Sequence, residues 1–127
     1  LASRINPQID IHVETRFLPE QSDASAQQYA FAYVITITNQ GPGTYQLLNR
    51  HWVITDATGQ VEEVRGAGVV GEQPTLQPGQ AFRYSSGSML KTPVGAMQGE
   101  YEFVDDAGST FLVDIEPFSL SQPNLVH

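Results

Sequence analysis

Apolar side chains recur at every second position in one short stretch of this chain after another, and clusters of Gly, Pro, Asn and Asp separate the stretches. A period of two puts alternate side chains on opposite faces of an extended strand, whereas a helix needs a period of 3.6 that no segment sustains. An all-β fold is therefore expected. From Gln8 to Leu18, Ile9, Ile11, Val13 and Phe17 alternate with Asp10, His12, Glu14 and Arg16, as in a half-buried strand. Residues 19–28, polar after Pro19, read as a connection without an apolar stripe. Tyr29–Thr38 repeats the alternation through Tyr29, Phe31, Tyr33, Ile35 and Ile37 until Asn39-Gln40-Gly41-Pro42-Gly43 turns the chain.

Tyr45–Thr55 reads as a third strand, with a phase that a bulge would explain, and Asp56-Ala57-Thr58-Gly59 as a hairpin turn into a short strand around Val61–Arg65. Gly66–Gly79, rich in Gly and Pro, is expected to be a loop crossing between sheets. Phe82 and Tyr84 mark a further strand, and Ser85–Gly99 reads as a second long connection. Tyr101 and Phe103 open a last hairpin through Asp105-Asp106-Ala107-Gly108, after which Phe111, Val113 and Ile115 alternate until Pro117 stops the strand. About seven short strands cannot bury their apolar faces in one sheet. The expected fold is an immunoglobulin-like antiparallel β-sandwich, and 127 residues make one domain, 1–127, with short peripheral termini.

Charge narrows the partners. Six Lys and Arg against fourteen Asp and Glu give a net charge of −8, with no basic cluster to meet phosphates, so neither nucleic acid nor an anionic membrane is expected to bind. No apolar run is long enough to insert in a membrane. Cysteine is absent, which removes disulfides, thiolate chemistry and zinc fingers and permits a reducing compartment. Without a secretory leader pattern at the start of the chain, a cytoplasmic location is expected.

Gly66-Ala67-Gly68-Val69-Val70-Gly71-Glu72-Gln73-Pro74, Leu76-Gln77-Pro78-Gly79, Tyr84-Ser85-Ser86-Gly87 and Leu90-Lys91-Thr92-Pro93-Val94-Gly95-Ala96-Met97-Gln98-Gly99-Glu100-Tyr101 together resemble the bacterial ApaG family. The second strand and Arg50-His51-Trp52 extend the resemblance over nearly the whole chain. It implies a fibronectin type III-like sandwich. It also implies a genetic link to cobalt resistance and magnesium efflux, with no defined reaction. Related domains in eukaryotic F-box proteins and in a DNA polymerase-binding protein imply an interaction module.

Three residue sets are candidates for a site. Gly66, Gly68 and Gly71 spell GxGxxG, whose backbone amides can cradle a pyrophosphate. However, Pro74 and Pro78 follow where a dinucleotide fold opens a helix, and Lys91 stands where it places an acid, so tight turns or close packing compete with weak anion binding. Asp10, His12 and Glu14 share the outward face of the first strand and could form a surface site for a divalent cation. Positions about 7 Å apart along a strand do not reach one small ion unaided. Leu90, Val94 and Met97 interrupt the long polar connection as an adaptable apolar contact surface or a cover for the core. Trp52 is expected in the core, with His51 facing away or hydrogen-bonded locally.

No nucleophile, base and acid assemble from the pattern, so a non-catalytic role without a cofactor is expected. The leading expectation is a protein-interaction or regulatory domain with an unidentified protein partner, tied to cation homeostasis by the resemblance alone. The alternative is a weak pyrophosphate or nucleotide sensor built on Gly66–Gly71. Exposed strand edges would also allow a homodimer.

Overall fold

A computed structural model describes Asn6 and residues 8–123, so the expected peripheral termini lie largely outside the described residues. Eight strands follow in order: β1 (Ile9–Phe17), β2 (Tyr29–Asn39), β3 (Tyr45–Asp56), β4 (Val61–Ala67), β5 (Thr75–Leu76), β6 (Ala81–Leu90), β7 (Val94–Asp105) and β8 (Thr110–Ser121). One sheet has the order β1-β2-β6 and the other β4-β3-β7-β8, with β5 joined to β3, and all pairings are antiparallel. This is the expected immunoglobulin-like, fibronectin type III-like sandwich. The strand beyond the expected seven is β5, two residues inside the Gly66–Gly79 crossover that pair with Tyr45 and Gln46.

The inward faces of both sheets share one core. Ile35 and Ile37 of the small sheet and Leu47, Tyr101, Phe103 and Leu120 of the large one are fully buried. Each such side chain contributes roughly 1.5–3 kcal/mol on leaving water. Trp52 lies at the centre, edge-on to Tyr33, Tyr101 and Phe118, the geometry that ring quadrupoles favour.

Two features depart from the expected course. Ser85–Gly99 is not a long connection: β6 runs on to Leu90, β7 starts at Val94, and only Lys91-Thr92-Pro93 joins them. Its Ser and Gly content disguises two strands. Gly99 is there because β7 passes so close to β3 that a Cβ would lie 2.0 Å from the His51 carbonyl oxygen. Pro117 does not stop β8 either. Gln98 opposes both Glu116 and Pro117, a bulge on an edge strand where a missing N–H breaks no ladder bond.

The irregular phase of β3 is also a bulge, at Leu48, between the Leu47–Phe103 and Asn49–Glu102 pairs. It turns the Leu48 carbonyl outward to accept from Gly68 N and Gln73 Nε2. The loop after β4 is thereby tied to the sheet.

Candidate functional site

Cross-strand partners share a face of a sheet, so the pairs Arg50–Gly66, Trp52–Val64 and Ile54–Glu62 all point inward from β3 and β4. Across from them, Tyr84, Ser86, Ser88 and Leu90 alternate inward along β6. β4 and β6 belong to different sheets and do not pair, and the sandwich stands open between them. The opening is a cleft of about 380 Å³ with Tyr33, Trp52 and Met97 at its floor and Ser86 and Ser88 on one wall. A second hollow of about 380 Å³ shares Ile54, Glu62 and Met89 with it and reaches Val61 and Lys91 at the mouth. Val61 and Met89 are 59% and 54% exposed, high for apolar side chains of this size.

The cleft has a charged group at each end. Arg50 Nη1 donates to the carbonyls of Ala67 and Gly68, both at 3.0 Å, which pins the guanidinium at one end. Gly66 leaves room for it, since a Cβ there would come within 2.8 Å of the guanidinium atoms. Glu62, exposed on β4, marks the other end. Behind Arg50, the hydroxyls of Tyr84 and Tyr101 hydrogen-bond each other in the interior. Burial pushes both phenols well above the ordinary tyrosine range.

The outer face of the large sheet carries a different set. His51 Nε2 lies 2.8 Å from Glu63 and its Nδ1 3.5 Å from Glu100, while Asn49 donates to Glu102 at 2.7 Å. His51, Asn49, Glu100 and Glu102 border a shallow groove of about 520 Å³ that also includes Arg65 and Leu112. As expected, His51 faces away from the buried Trp52. The groove is a self-paired charged surface.

The sequence-derived candidates separate. Asp10, His12 and Glu14 do share the outward face of β1, but among the described residues no three His, Asp or Glu converge as metal ligands. Glu14 instead lies 3.8 Å from Arg83. Leu90 and Met97 are 4% and 1% exposed and Val94 is half-buried. Leu90 and Met97 thus belong to the core.

Gly66 and Gly68 of the glycine set sit in different local settings. Gly66 is a strand residue against Arg50. Gly68 takes a φ of +64° with its Cβ position 2.2 Å from the Glu72 carbonyl oxygen, so only glycine fits there. Its amide donates to Leu48, and Val69 and Glu72 exchange both of their backbone bonds. Sequence reasoning missed Arg50, Glu62, Ser86 and Ser88. The alternation Tyr84, Ser86, Ser88, Leu90 was the available signal, hidden because two of its inward positions face a cleft and are polar.

Comparison with known proteins agrees with this architecture. The ApaG domain profile matches residues 19–105. The Protein ApaG of Acidithiobacillus ferrooxidans is 60% identical over 120 residues, 94% of each chain, and that of Thiobacillus denitrificans is 56% identical over the same share. The crystal structure of the ApaA protein of Bordetella pertussis, 46% identical, superposes with a TM-score of 0.90 over 98% of this chain and all of that one. A profile match over more than half the chain and relatives this similar along nearly its full length place it in one family: the chain belongs to the ApaG domain family.

Proposed function

We propose that this chain is a non-catalytic protein-interaction domain that offers the open β4–β6 side of its sandwich to a protein partner. The observation that carries the reading is the open inter-sheet cleft with Val61 and Met89 exposed at its mouth. An opening of this kind leaves Val61, Met89 and two strand edges in water, where a partner gains by covering them. The Gly66–Gly71 segment serves this site by holding Arg50 at one end of the cleft. In this reading the link to cobalt resistance and magnesium efflux runs through the partner, and a cytoplasmic setting fits a chain without cysteine.

Replacing both exposed residues, Val61→Glu with Met89→Glu, tests it, because neither side chain supports the core. The double variant is expected to keep the wild-type melting temperature and to lose the proteins that wild-type bait retains from its own cell extract. Retention of the same proteins by the variant would refute the reading.

The second reading, a pyrophosphate sensor on Gly66–Gly71, is not favoured by the hydrogen bonding, since the amides of Gly68, Val69 and Glu72 already donate to carbonyls. It would need saturable shifts of the 66–71 amides under pyrophosphate at constant ionic strength.

A further inference from the structure

Besides the two-residue β5, the described sandwich has four edge strands, and they differ in their protection. β1 carries Asp10, His12, Glu14 and Arg16. β8 carries Asp114, Glu116 and the Pro117 bulge. β4 is seven residues long with Glu62, Glu63 and Arg65. Charges, proline, bulges and shortness are the devices that keep an edge from pairing with another chain. From Tyr84 to Leu90, β6 has none of them: its one charged residue, Arg83, comes before this run, and Lys91 comes after it.

A strand added to β6 would lie over the cleft. Its alternate side chains would then enter beside Arg50, Trp52 and Ile54, which sit at i, i+2 and i+4 on β3. Tyr84 lies within the field of Arg50, and Leu90 lines the same hollow as Glu62. β6 thus runs from the cationic end of the cleft to the acidic end. Arg50 and Glu62 are separated by four residues of strand rise, about 13 Å. That spacing equals the reach between side chains i and i+4 of an incoming strand.

Building on the proposed interaction role, we infer that the partner contributes an extended segment that adds antiparallel to β6. Its inward residues, from N- to C-terminus, are basic, apolar and acidic at i, i+2 and i+4. The basic residue meets Glu62, the apolar one covers the half-buried Ile54 and Val64, and the acidic one meets Arg50. Main-chain bonds to the β6 edge hold the segment, and the charge pattern sets its direction and register.

The test is a titration of the protein with the capped peptide Thr-Lys-Thr-Val-Thr-Glu-Thr, followed by Trp52 fluorescence and amide NMR. Saturable binding is expected, with shifts confined to residues 84–90 and to β3 and β4 around the cleft. Exchanging the peptide's Lys and Glu is expected to weaken binding by about tenfold, the worth of two exposed charge pairs. Glu62→Lys is expected to weaken it about fivefold and to be rescued when the peptide's Lys becomes Glu.

Absence of binding at millimolar peptide, or binding unaffected by Glu62→Lys and by the exchange, would overturn the inference. So would a dimer of the free protein, seen by sedimentation, that Ser86→Trp disrupts, because β6 would then pair with a second copy. If the peptide fails while the Val61/Met89 double variant still loses its partner, this mode of docking is wrong and the interaction role stands.

Discussion

Asn39 is the one polar side chain fully buried among the described residues, and its environment accounts for it completely. Its Nδ2 donates to the carbonyls of Gly43 and Leu76 at 2.7 and 3.0 Å, and its Oδ1 accepts from Gly41 N at 3.0 Å. One amide thus closes the turn after β2 and fixes β5 against it. Asn39→Ala strands two carbonyls and an N–H in the interior and is expected to cost about 3 kcal/mol or more in urea unfolding. The Tyr84–Tyr101 hydroxyl pair works by the same rule. Tyr84→Phe leaves the Tyr101 hydroxyl alone and is expected to cost about 1–3 kcal/mol, whereas replacing both with Phe restores most of it.

That pair also fixes the response to alkali. Both phenols have folded-state pKa values raised by burial, so the folded protein holds these two protons more tightly than the unfolded chain does. Their contribution to stability is complete below the ordinary tyrosine pKa near 10 and is lost as pH rises above it. In an absorbance titration of phenolate, Tyr84 and Tyr101 are expected to ionise only together with unfolding. The double Phe variant should unfold at higher pH.

Among the elements, β6 and β7 show where local sequence and tertiary demand part. The strands β1 and β2 were legible because most of their inward positions pack against the core while most of their outward positions are more exposed, so the alternation survives in the sequence. β6 was not, since Ser86 and Ser88 face an open cleft, and β7 was not, since Gly95 and Gly99 are imposed by the close approach of Thr55 and His51 carbonyls. Pro117 misled in the same way: proline excludes an interior ladder position but not a bulge on an edge. Because Met97 is a core residue of β7 rather than a loop contact, Met97→Ala is expected to cost about 2–5 kcal/mol in thermal or urea unfolding. A loop residue would cost almost nothing.

Taken together, the strands build a sandwich closed on its β1–β8 side, where those strands meet, and open on its β4–β6 side. Fold class and family were readable from alternation and from motifs spread along the chain. The cleft was not, because Arg50, Glu62, Ser86 and Ser88 lie on three strands far apart in sequence and no local pattern links them. The GxGxxG segment, the most conspicuous motif, is explained by the room Arg50 needs beside Gly66 and by the tight turn at Gly68. The open side is the feature to which the proposed function is tied. Photo-cross-linking in the native cell, with benzoylphenylalanine placed in turn at Met89, at Val61 and at Asp106 in the distant β7–β8 turn, reads it out. The same adduct is expected from Met89 and Val61, with none from Asp106. Equal adducts from all three positions, or an adduct from Asp106 alone, would contradict the assignment of the open side as the partner surface.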